Sequence, residues 1–106
     1  MEAGTMTRTL EESRAFFAAD RFAMEACGIT IDEVTEDGAR CSMPLTPMHL
    51  NAGGVAQGGA VYTLCDTTFA VAANAGGILT VSQCADMHYL RPVSYTHLTL
   101  PTNSRV

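Results

Sequence analysis

Two short features of this sequence have the residue types for chemistry. The first is Gln57-Gly58-Gly59, which opens a long apolar run ending at Asn74. Glycines at a helix start let a ligand come close to the backbone. The unpaired N–H groups there, at the positive end of the helix dipole, suit an oxyanion or a phosphate. A tight turn from loop to helix, with no ligand, uses the same residues. The second feature is Asp66, the only charge in that run. A carboxylate inside an apolar helix is costly to bury without a partner. Desolvated carboxylates hold their proton more tightly, which is one route to a general acid or base near neutral pH. An Asp turned to solvent, or bonded to Thr63 or Thr67, is the plainer alternative.

Geometry joins the two. Gly58 and Asp66 are eight residues apart in sequence, which is about 12 Å along a helix. The Asp66 side chain leans back toward the N-terminus but does not cover that distance. One reacting carbonyl therefore cannot touch Gly58 N–H while Asp66 of the same helix attacks it. If both act on one substrate, they come from two chains. A two-fold dimer would hold two equivalent composite sites.

The elements that must position these residues follow from local pattern. Thr9 opens a helix, with Glu12 three residues on as a capping box. Asp20 is placed to cap a second short piece, and Gly28 ends it. Ile29–Val34 and Ala39–Leu45 read as antiparallel strands around an Asp37-Gly38 turn, where both positions tolerate positive φ. Thr46–Ala56 is a loop. The helix from Gly58 to Asn74 has no clear polar face, which predicts that other elements wrap it. Gly76-Gly77 ends it. Ile78–Leu90 then reads as a long strand with Leu79, Val81, Ala85, Met87 and Tyr89 on one face, closed by Arg91-Pro92. The order predicts an α+β domain in which an antiparallel sheet wraps a long central helix.

Composition narrows the rest. The 106 residues suit one small domain, 47% of them apolar. A chain this short has a modest core that oligomerisation would extend. Six arginines, no lysine and eleven acids give a net charge of −5. That balance argues against a nucleic-acid or anionic-membrane surface. No apolar run is long enough for a membrane span, and the start carries no secretory pattern, so cytoplasmic residence is expected. Cys27, Cys41, Cys65 and Cys84 each lie in an apolar pattern, with no Cys-x-x-Cys, and read as reduced core residues. The three histidines and four cysteines show no metal-ligand spacing, so no metal or other cofactor is expected. His49, His88 and Arg91 read as structural or surface residues.

Asn51 through Pro92 carries a combined pattern: Asn-x6-Gly-Gly, Leu64-Cys65-Asp66, Ala70–Ala73 and Tyr89-Leu90-Arg91-Pro92. It resembles the hotdog-fold acyl-CoA thioesterases, in particular the phenylacetate-pathway (PaaI-like) subgroup, and the likeness reaches back to about residue 20. The resemblance implies hydrolysis of an acyl-CoA thioester by a homodimer or homotetramer. It implies that Asp66 is the catalytic carboxylate, that the Gly58 amide polarises the carbonyl, and that Asn51 orients water or the carboxylate. Gln57, Gly59 and Ser82 fall at substrate-binding positions, Ser82 where some relatives place a water-orienting hydroxyl. The family usually has His before the Gly-Gly pair, where this chain has Gln57, which cannot carry a proton at neutral pH. An acyl-CoA-binding module without turnover, or an inactive truncated fragment, are the competing readings.

Residues 1–93 are expected to form the thioesterase domain, incomplete at its C-terminal end, and the likeness stops at Val93. The family continues with further strands, so the last strands are expected to be missing. Residues 94–106 have neither hairpin signal nor return strand and read as adapter-like or disordered tail. An unpartnered sheet edge is the expected consequence.

Overall fold

The computed structural model describes residues 7–93 and 96–103. The first helix, α1, runs Leu10–Phe17 and begins with the expected capping box. Glu12 N–H donates to Thr9 Oγ1 at 3.0 Å and Thr9 N–H to Glu12 Oε1 at 2.9 Å. The second piece is one π-helical turn, Phe22–Ala26. Asp20 Oδ1 accepts the Ala23 N–H, and Gly28 leaves the turn at φ +73°.

Strands β1 (Thr30–Thr35) and β2 (Gly38–Pro44) pair antiparallel. The turn between them is Glu36-Asp37, one residue earlier than the sequence pattern indicates, with Thr35 opposite Gly38. Neither Asp37 nor Gly38 takes positive φ. Thr35 Oγ1 accepts the Asp37 N–H instead, a side-chain bond that holds the reversal without left-handed residues. A bulge between Ile31 and Glu33 breaks the ladder. Arg14 reaches in from α1 and donates to Ile31 O from Nε (3.0 Å) and NH2 (2.7 Å).

The long helix α2, Gly58–Ala73, lies against this sheet. Leu64, Thr68, Val71 and Ala75 recur at helical spacing and are buried. Leu64 and Val71 form one core cluster with Ile31, Cys41 and Met43 from the strands, and Phe17 and Ala23 close it. Full burial of such side chains contributes about 1.5–3 kcal/mol each.

Three expectations need correction. Ile78–Leu90 is not a strand. The stretch forms no ladder, and Ile78, Leu79, Val81, Tyr89 and Leu90 are exposed. Alternation gives a strand its two faces, but a strand also needs a paired neighbour, and this stretch pairs with none of β1, β2 or residues 97–103. Residues 97–103, expected in a disordered tail, form β3, His97–Asn103, paired antiparallel along the whole of β2. The free edge of β2 is a template for a β-prone segment, and Leu98 and Leu100 pack onto the core from it. Residues 94–95 and 104–106 of that tail lie outside the described residues. Finally, α2 is not wrapped all round. The sheet order β1-β2-β3 is too narrow for that, and the helix face opposite Leu64 and Val71 stays open. The architecture remains the expected antiparallel sheet against a long helix.

Candidate active site

Asp66 sits on the open face. It is exposed, not buried, and shares a helical stripe with Tyr62 and Phe69, which are 36% and 38% exposed. The residues at 62, 66 and 69 follow the i, i+4, i+7 rule, opposite the buried stripe of Leu64, Thr68 and Val71. Neither Thr63 nor Thr67 holds the carboxylate. Thr63 Oγ1 donates to Gly59 O instead. A cleft of about 210 Å³ separates this stripe from residues 82–87, and Asp66, Ser82, Cys65, Cys84, Asp86 and Met87 are among its lining. Burial and the neighbouring Asp66 push the Cys65 thiol up from its ordinary range. Of the four cysteines, all free, only Cys27 and Cys41 are core residues; Cys65 is half-buried and Cys84 exposed.

The start of α2 is built by Gln57. It adopts extended φ −67°, ψ 131° as the N-cap. Its Oε1 accepts the N–H of Gly59 and that of Ala60, the latter at 3.2 Å. Gly58 N–H is left without a partner among the described residues. The N–H groups at the helix start are therefore not all open in this conformation. The Gly59 amide is spent on the cap, and Gly58 supplies the open one. Tyr89 packs beside Gly58: its hydroxyl donates to Gly58 O at 2.9 Å. A Cβ at position 58 would stand 3.3 Å from the Tyr89 ring, so the packing favours glycine there. Tyr89 was legible only as one apolar residue of an alternating run, which gives no sign of this contact.

Asn51 spends its carbonyl locally. Its Oδ1 accepts the N–H groups of Gly53 (2.9 Å) and Val55 (3.2 Å), an Asx-type turn that shapes the loop. The side chain's remaining capacity is the Nδ2 donor. Asn51 and Gly58 line one cavity of about 400 Å³ with Val61, Tyr89, Arg91 and Pro92. His49 is absorbed by the core. Its Nδ1 accepts the Thr46 N–H at 3.1 Å, so Nε2 carries the proton and donates to Cys27 O at 2.7 Å.

The site residues thus fall into two groups. Asn51 and Gly58 share one cavity, Asp66 and Ser82 another, and seven residues of helix lie between Gly58 and Asp66. Among the described residues, no group of three or more His, Cys, Asp or Glu could hold a metal ion. No helix there is long and apolar enough to cross a membrane.

A long helix laid on an antiparallel sheet, with a glycine turn at its start and one acid midway, is the hotdog arrangement, and this chain has that fold. It is homologous to the acyl-coenzyme A thioesterase PaaI of Escherichia coli (strain K12), 33% identical over 82 residues. That match covers 77% of this chain but 58% of the relative, so the chain spans less than two thirds of that protein's length. The solved structure of E. coli PaaI superposes with a TM-score of 0.76 at 26% identity, covering 92% of this chain and 70% of that one. A thioesterase from Haemophilus influenzae shares the fold, with a TM-score of 0.69, 24% identity, and coverage of 92% and 69%. No protein-family model matches the chain.

Proposed function

We propose that this chain hydrolyses an acyl-CoA thioester in a composite site between two copies. The acyl carbonyl oxygen sits against Gly58 N–H of one copy, where negative charge develops as the carbonyl is attacked. Asp66 of the other copy takes a proton from water. The water oxygen then bonds to the carbonyl carbon, the C–S bond breaks, and the coenzyme A sulfur leaves and is protonated. Direct attack by the carboxylate, through an anhydride that water then opens, uses the same placement. Asn51 Nδ2 and Ser82 Oγ are donors available to orient the water or the carbonyl. Gln57 and Gly59 belong to this site as the cap that keeps the helix start open at Gly58.

The observation that carries the reading is the division of one helix into two half-sites, in a chain homologous to PaaI. Tyr62 and Phe69, exposed beside Asp66, give the second copy an apolar face to cover, in a dimer or a pair of dimers. Free cysteines accord with a reducing, cytoplasmic compartment. A thiol-release screen over a small acyl-CoA panel tests the proposal, with Asp66→Ala alongside. Release by the parent chain, lost by at least about 100-fold in the variant with the dimer intact, supports it. Unchanged turnover in the variant overturns the mechanism.

One observation favours a second reading, acyl-CoA binding without turnover. Gln57 stands where the family usually has His, and it occupies two of the helix's first amides. Tight binding of an acyl-CoA with no thiol release from any panel member would favour it.

A further inference from the structure

Residues 82–87 supply one wall of the Asp66 cleft, yet among the described residues 81–88 make no hydrogen bond. The course of this stretch is set at its two ends. Beyond it, Tyr89 is tied to Gly58, and Ala56 N–H donates to Val93 O at 2.8 Å. Before it, the tie is Asn74, the residue that ends α2.

Asn74 is 4% exposed. Its Nδ2 donates to Ala70 O at 2.9 Å, a carbonyl at the helix end that also accepts the Asn74 backbone N–H. Closing the helix asks for nothing more. The side chain nevertheless makes two further bonds, both to one residue: Nδ2 donates to Thr80 O at 3.0 Å, and Oδ1 accepts the Thr80 N–H at 2.7 Å. Together they imitate the paired bonds between facing residues of an antiparallel ladder. One buried amide stands in for the sheet neighbour that Thr80 lacks.

That bond pair fixes more than Thr80. Ser82 is two residues on from Thr80, and Ser82, Cys84, Ala85, Asp86 and Met87 line the cleft with Asp66 while making no hydrogen bond among the described residues. We infer that Asn74 is a positioning residue: by clamping Thr80, its side-chain amide fixes where residues 80–87 leave the end of α2, and so brings Ser82 to the Asp66 cleft. This rests on the proposal that Asp66 and Ser82 serve one reaction.

Two variants test it. Asn74→Ala removes all three side-chain bonds. Thr80→Pro removes the Thr80 N–H from an exposed position and leaves the helix-closing bond intact, so it carries the test if Asn74→Ala does not fold. Thiol release from acyl-CoA is measured for each, alone and combined with Ser82→Ala. The cleft is read without substrate, as the yield of a Cys65–Cys84 cross-link formed by a short bis-alkylating reagent and located by peptide mass spectrometry. The expected result is a kcat about tenfold lower with KM within about twofold. Ser82→Ala should cost nothing further in either background, since the clamp acts through Ser82. Cross-link yield should fall at least about fivefold, as expected when a positioning contact is released. Losses that multiply, or an unchanged cross-link yield, overturn the inference. If the parent chain releases no thiol from any acyl-CoA, the reaction proposal fails separately, and the cross-link yield still decides whether Asn74 sets the cleft.

Discussion

The side-chain carbonyl of Gln57 accepts the backbone N–H of Gly59, so the residue before the glycine pair closes the helix start onto itself. Because Ala60 shares that acceptor, Gly58 keeps the open amide. Gln57→Ala should therefore free the Gly59 donor, while Ala60 N–H keeps its bond to the backbone carbonyl of residue 57, and lower stability by about 1 kcal/mol, the usual cost of losing an N-cap. Urea unfolding with the slope held constant measures it.

Complementation between chains tests the two-copy arrangement directly. Gly58 is the first residue of α2, where proline is tolerated and the missing N–H costs the helix nothing. Gly58→Pro and Asp66→Ala should each be inactive alone. Mixed by unfolding and refolding together, they should recover about one quarter of the parent activity, since half of the dimers are hybrids and each hybrid has one intact site. No recovery, with hybrids demonstrated by mass, would place both residues in one chain's site.

Cys65 reports on its neighbour. Burial and the Asp66 charge both hold its thiol protonated to higher pH than an ordinary cysteine. Iodoacetamide should alkylate exposed Cys84 before Cys65, and the Cys65 rate should rise only at more alkaline pH. In Asp66→Asn the repulsion is gone, so that rise should move to lower pH. Rates read by peptide mass across a pH series settle the direction.

The buried thiols set an alkaline limit. Burial first, then Asp20, raises the Cys27 thiol; burial first, with Asp32 adding and Thr68 opposing, raises that of Cys41. In the unfolded chain both ionise at about pH 8.5. The folded state then binds more protons than the unfolded one. The stability these thiols contribute is present below that pH and is lost as pH rises toward the folded values. Thermal midpoints should fall above about pH 8.5, and less steeply in a Cys27→Ala, Cys41→Ala double variant than in the parent.

Much of the scaffold was legible because its signals are local. Thr9 with Glu12, Asp20 and Gly28 each act through neighbours within a few residues, and each took its expected part. The strand expected over 78–90 was not formed, since periodicity describes a face but not the neighbour that must meet it. The same limit hid β3, which depends on a free edge of β2. The helix α2 was expected to be wrapped by other elements because it has no polar face. The structure leaves that face open, so an apolar surface signalled an uncovered side and not a buried one. The separation of Gly58 from Asp66 followed from helix rise alone. Tyr89 over Gly58 and Asn74 on Thr80 are tertiary contacts with no local sign.

Arg14, bonded twice to the carbonyl of Ile31 at the bulge, has a consequence for how copies of this chain can meet. An incoming backbone that tried to lengthen the sheet beside β1 would have to evict a guanidinium and cross a kink. Strand-by-strand stacking into fibres is thus hindered on that side, which leaves the open helix face with Tyr62 and Phe69 free for the association proposed above.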